Sequence, residues 1–185
     1  NAVWLAERSW RVTGVDFSDV ALAKAEGLAA SRGVEVEWVL ADVLEREPEP
    51  GALDLVAVLY LQLPHGELAH VLRSAVGALA PGGTLVVLGH DTTNLTDGYG
   101  GPKDASVLFT PEDVVAQLGG LEIEEHQGVA PRPEQPASKD GVVVSDRRQC
   151  DVDQCHVGGV VVGGDRLGSP RQGGGGDHHR IVGGV

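Results

Sequence analysis

At 185 residues the chain is long enough for one ordinary domain with a sizeable core. Residues 1–131 carry 7 Lys/Arg against 20 Asp/Glu and so hold the whole formal charge of −13, while residues 132–185 balance at zero. That acidic body, without basic clusters to neutralise phosphates, argues against nucleic acid as a partner, and no run nears the roughly 20 apolar residues of a membrane span.

In chain order, Asn1 to Arg8 reads as the end of a helix, with Val3, Trp4 and Leu5 as its apolar residues. It has neither the charged start nor the apolar stretch of a signal peptide, and the chain holds no Met, so a truncated N-terminus is expected. Arg11 to Val15 is a short β-branched run that closes at Asp16. Ser18 or Asp19 caps the next helix, whose apolar positions Val20, Ala21, Leu22, Ala25, Leu28 and Ala29 follow helical spacing. Gly33 stops it. Val34 to Leu40 alternates as a strand and ends at Ala41-Asp42, and the continuous apolar run Leu53 to Leu59 reads as a strand buried on both faces.

A helix from about Gly66 to Leu79, a Pro81-Gly82-Gly83 turn and a strand from Thr84 to Leu88 follow. After a longer loop, 89–109, Thr110 is a good N-cap with Pro111 behind it, so a helix runs to about Leu118 and a strand from Leu121 to Val129. The order is that of a Rossmann-like, doubly wound, mostly parallel α/β sheet, entered one strand late.

Beyond Pro131-Arg132-Pro133 the pattern stops. All seven aromatic residues precede residue 110, and residues 132–185 hold a single Leu and a single Ile. Such a stretch has little to bury, so we divide the chain into an incomplete domain, 1–131, and a low-complexity, disordered tail, 132–185. Glycine-rich sequence replacing the domain pattern so abruptly reads as the product of a shifted reading frame. Cys150, Cys155 and His156 do not have the spacing of a recognised zinc finger, and no metal site is expected. Two Cys suggest no disulfide framework, so a cytoplasmic setting is the default.

Ligands of a doubly wound sheet bind at the carboxyl ends of its strands, near the switch in strand order. Asp16 ends the first visible strand, and an ionised carboxylate offers two acceptor oxygens to the two hydroxyls of a ribose. Asp42 ends the next strand, where it could accept from the exocyclic amine of adenine while the Val43 N–H meets a ring nitrogen. Leu59-Tyr60-Leu61-Gln62 forms the third tip. An acid after a strand, taken alone, is more often a turn or cap residue, and Asp54 reads at least as well as an edge or solvent-facing carboxylate. The combination of tips with an apolar strand, a helix and Pro-Gly-Gly is more specific.

These stretches resemble the class I S-adenosylmethionine (SAM)-dependent methyltransferases. Asp16-Phe17-Ser18 is similar to the ribose-binding strand end of that family, Ala41-Asp42-Val43 to its adenine-side motif, and Leu79-Ala80-Pro81-Gly82-Gly83-Thr84 to the turn before its fifth strand. Gly89 to Leu95 and Phe109 to Asp113 resemble the small-molecule branch that includes tellurite-resistance-type and thiol methyltransferases. The resemblance covers residues 1–130 and enters the family just after its glycine-rich loop. It implies S-adenosyl-L-methionine as cofactor, held by Asp16, Phe17, Ser18, Ala41, Asp42 and Val43, with Tyr60 beside its reactive portion. It further implies methyl transfer by direct displacement to a small-molecule acceptor, and leaves the strand position between those ending at Asp16 and Leu59 empty. Tyr60, Gln62, His65 and His90 follow strand ends on the acceptor side, and none is assigned as catalytic. Two other readings stand beside this one. The first is an inactive or partner-binding fragment of the same fold. The second is a nucleotide-dependent oxidoreductase, which would call for a Tyr-x-x-x-Lys that neither Tyr60 nor Tyr99 begins.

Overall fold

The computed structural model describes residues 1–98, 100–119 and 121, together with the strand segments 128–129, 140–142 and 159–166. Helix α1 (Ala2–Ala6) leads into strand β1 (Trp10–Asp16) and helix α2 (Asp19–Arg32). Ser18 caps α2 by accepting from the Ala21 N–H, and Gly33 closes it in the left-handed conformation, at φ 67°. Strand β2 (Glu37–Leu40) begins three residues later than the alternation suggests, because the closing turn draws the Val34 N–H back to the Ala29 carbonyl. Strand β3 (Leu53–Leu59) and helix α3 (His65–Ala78) follow as expected, whereas strand β4 (Leu79–Leu88) begins at Leu79, where the helix was expected to end, rather than at Thr84.

Pro81-Gly82-Gly83 lies within β4 as an interruption of the ladder. Leu53 pairs with Leu79 and Leu55 with Thr84, so the turn bulges out between the two. A Cβ on Gly83 would stand 2.8 Å from the carbonyl oxygens of both Ala80 and Leu53, which excludes any side chain there. Helix α4 (Pro111–Val115) is shorter than expected and passes into turns up to Leu118. Of the strand expected over residues 121–129, only β5 (Gly128–Val129) is seen, paired antiparallel with β6 (Asp140–Val142); residues 122–127 lie outside the described residues.

Strand β7 (Gly159–Arg166) changes the expected picture of the sheet. The order is β2-β1-β7-β3-β4, with β1 parallel to β2 and β3 parallel to β4. The position between β1 and β3, expected to be empty, is filled by β7, antiparallel to both. The physical reason lies in β3. Leu55 to Leu59 are all at most 3% exposed, and buried backbone N–H and C=O groups require partners on both edges. Composition marks residues 132–185 as disordered; β6 and β7 are two strands within that span, and its other residues lie outside the described ones.

Two clusters flank the sheet. The larger joins β3, β4, α3 and α4 around Leu72, Leu85, Val87 and Phe109, and the smaller gathers Ala2, Leu5, Val12, Leu55 and Ala57. Helix α2 meets the sheet through a narrow face, with Ala29 buried and Ala21, Leu22 and Ala25 half-buried. Val20 and Leu28, expected on that face, point outward and are exposed.

Val161 pairs with Gly14 of β1 and with Ala57 of β3. Proline there removes a ladder donor in mid-sheet, so Val161→Pro should destabilise the chain by at least about 2 kcal/mol in urea denaturation. An unchanged midpoint would mean that the tail does not occupy the sheet.

Candidate functional site

The parallel register of β1 and β2 sets the first half of the site. Asp16 pairs with Leu40, and the Ala41 N–H donates to the Asp16 carbonyl at 3.0 Å, so Asp42 follows directly beside the tip of β1. Asp16 is 7% exposed and accepts from the Ser18 N–H at 2.8 Å; Asp42 is exposed and accepts from the Leu44 N–H at 2.9 Å. Both therefore make the contacts of turn residues, each through Oδ1, and a carboxylate has a second acceptor oxygen. Phe17 leaves the tip of β1 with its ring 75% exposed, while Val43 is half-buried against the larger core. Ser18 spends its hydroxyl on the cap of α2.

The second half of the site lies at the tips of β3 and β4. Chain order runs outward from β1 to β2 and outward the other way from β3 to β4, so strand order switches at β7. Because β7 runs antiparallel, it enters the sheet at this end: Gly159 lies opposite Leu59, and Val160 opposite Val15. A doubly wound sheet binds its ligand in a crevice outside the carboxyl ends of such strands, and here those ends carry Asp16 on β1 and Tyr60 just after β3. Tyr60 stands in the left-handed region at φ 51°, uncommon for an aromatic residue, and its N–H donates to the Leu88 carbonyl at 2.6 Å. Its ring centroid is 5.3 Å from that of His90, the rings tilted by 54°.

Residues 89–109 return as an arch over these tips. Gln62 accepts from the His90 N–H at 2.9 Å and donates to the Val107 carbonyl at 2.5 Å. His65 Nε2 lies 2.8 Å from the Leu108 carbonyl, and the Phe109 N–H reaches the His90 carbonyl. Gln62 and His65, expected beside an acceptor, are thus engaged in holding the loop. Asn94, fully buried, closes the span by donating through Nδ2 to the carbonyls of Gly100 and Pro102. Its polar side chain in a glycine-rich loop is the signal that the sequence offers for this clamp.

At the far foot, Thr110 and Asp113 form a capping box. The Thr110 N–H holds the Asp113 carboxyl below its usual range, with smaller help from the Thr110 hydroxyl and the nearby His65 against the opposing effect of burial. A small cavity of about 110 Å³ opens between α3 and α4, lined by His65, Leu68, Phe109, Asp113 and Gln117 among others. It is well below the ~300 Å³ of ordinary ligand pockets and includes neither acidic tip. The strand tips that carry Asp16, Asp42 and Tyr60 are the candidate site. Among the described residues no group of three or more His, Cys, Asp or Glu could hold a metal, and no helix is long and apolar enough to cross a membrane. Cys150, Cys155 and His156 lie outside the described residues.

Residues 1–83 match a family described as a methyltransferase domain. Demethylmenaquinone methyltransferase of Thermus thermophilus is 37% identical over 89 residues, 47% of this chain, and the chain spans 40% of that relative's length. Among solved structures, a SAM-dependent methyltransferase of Methanosarcina mazei superposes with a TM-score of 0.61 at 16% identity, over 86% of this chain and 85% of the other. The N-methyltransferase NodS of Bradyrhizobium japonicum, in complex with S-adenosyl-L-homocysteine, gives 0.56 at 19% identity, over 83% and 66%. At these identities the two structures are likenesses of fold.

Asn94→Ala should cost about 2 kcal/mol, because two carbonyls lose a buried donor, and limited proteolysis should then cut within residues 91–104. For Asp113 the sign follows from its lowered pKa. The stability it contributes is present above the unfolded carboxyl value and is lost as pH falls through the folded one. Asp113→Asn should therefore lower the melting temperature at pH 7, with the gap to the parent chain closing once the pH drops below about 4.

Proposed function

We propose that this chain, whose residues 1–83 match a family described as a methyltransferase domain, is a class I SAM-dependent methyltransferase that transfers a methyl group from S-adenosyl-L-methionine to a small molecule by direct displacement. The observation that carries this reading is the pair of acidic tips on neighbouring parallel strands, Asp16 and Asp42, joined by the Ala41 N–H to Asp16 carbonyl bond. Demethylmenaquinone methyltransferase is by name a small-molecule enzyme, which supports the acceptor class.

The residues present suit the adenosine half of the cofactor. Asp16 would take the ribose hydroxyls, and the Ser18 N–H on its Oδ1 keeps that carboxylate oriented. The exposed ring of Phe17 offers a flat apolar face for a base. Asp42 and the Val43 N–H would read the adenine edge, and Ala41 keeps the two tips together. Tyr60 would border the sulfonium side. When bound, the cofactor supplies a methyl group already activated on sulfur. The chain's share is then alignment and exclusion of water. The arch closed by Gln62, His65 and Asn94 supplies a wall for the second task. Tyr60 and His90, with rings in contact, face the acceptor side, and a soft acceptor such as a thiolate would need no base from them. We place the protein in the cytoplasm, with neither nucleic acid nor a membrane as partner, and assign no oligomeric state.

A second reading, a remnant that keeps the fold without turnover, is favoured by β7, whose Gly159 stands at the switch point where a doubly wound sheet normally turns from strand to helix around a ligand. Calorimetric titration of the full chain with S-adenosyl-L-homocysteine separates the two. Binding that Asp16→Ala weakens more than about tenfold, the scale of a lost hydrogen bond to a charged group, supports the enzyme. A folded chain that takes up no ligand supports the remnant.

A further inference from the structure

The carboxamide of Gln62 sits between two partners far apart in sequence, and its orientation is fixed by them. Oε1 faces the His90 N–H and Nε2 faces the Val107 carbonyl. Turning the amide over would set oxygen against oxygen and N–H against N–H, so only one orientation satisfies both ends. A Cβ on Gly89 would stand 2.7 Å from Oε1 and 2.3 Å from the Phe109 ring, which leaves the bare glycine backbone as the only fit.

These two bonds bracket the strained part of the site. Tyr60, left-handed at φ 51°, is fixed before by its own N–H on the Leu88 carbonyl and after by Gln62, two residues on. A bulky residue in that region is strained and persists only where its surroundings determine it. Gln62 also holds the backbone of His90, whose ring meets that of Tyr60. We infer that Gln62 is a positioning residue, which sets the His90 imidazole against Tyr60 and pins the near foot of the arch rather than meeting cofactor or acceptor itself. Its importance for methyl transfer rests on the function proposed above; its effect on His90 does not.

The test uses the full chain, with the ring signals of His90 and Tyr60 followed by NMR, the Phe109 amide by hydrogen exchange, and S-adenosyl-L-homocysteine affinity by calorimetry. In Gln62→Ala the His90 ring signals should move and Phe109 exchange should rise roughly tenfold, the scale of one or two lost hydrogen bonds. Gln62→Glu keeps an acceptor for the His90 N–H but sets a carboxylate oxygen against the Val107 carbonyl. It should raise Phe109 exchange with a smaller change at the His90 ring, and it gives the reading if the alanine variant fails to fold. His65→Ala, which frees the far foot at Leu108, should speed exchange and leave the His90 ring in place. The inference is overturned if the His90 ring stays put in a folded Gln62→Ala chain, or if His65→Ala moves it as far. A parent chain that binds no S-adenosyl-L-homocysteine, yet whose His90 ring moves in Gln62→Ala, overturns the proposed function and upholds the positioning role.

Discussion

Everything at the site depends on how the buried strand β3 satisfies its backbone. Its run from Leu55 to Leu59 is closed off from water on both faces, so each N–H and C=O along it must find a partner in a neighbouring strand. Strand β4 serves one edge in parallel, and β7 serves the other in the opposite direction. With both edges paired, the tip of β3 is rigid enough to hold Tyr60 in an unfavourable backbone conformation. Strand β7 passes the same constraint on to β1, and through it to the position of Asp16.

The two halves of the crevice are built by different means. On the Asp16 side the work is local. A strand tip, a cap and a turn contact each lie within a few residues of the acid they orient. On the Tyr60 side the contacts are long-range, with Gln62, His65 and Asn94 each reaching carbonyls of the arch. Local contacts leave Asp42 and Phe17 open to a ligand, whereas the long-range ones use up polar groups that would otherwise look available.

That difference explains what was legible in the sequence. The caps at Ser18, Gly33 and Thr110, and the continuous apolar run of β3, gave their elements because each depends on neighbours a few residues away. The positions of Asp16 and Asp42 at strand ends were legible for the same reason. The occupant of the sheet position between β1 and β3 was not legible, because glycine-rich sequence carries little to distinguish a strand from a coil and the pairing is decided by a vacancy elsewhere. Gln62 and His65 followed strand ends and were read as facing an acceptor. Their actual partners, the carbonyls of Val107 and Leu108, are backbone atoms of a loop, and no residue pattern marks them.

The direction of β7 also bears on how the molecule comes together. Val12 meets Gly163, so the middle of the sheet is joined by a segment that leaves the ribosome long after its two neighbours. Until then β1 and β3 each present an open edge, the kind of surface on which foreign strands add. Pairings of such sequence separation form slowly, since the chain must first close a very large loop. Assembly of this sheet during synthesis therefore waits for β7, and chaperones that shield exposed edges would meet open edges on this chain until residue 159 emerges.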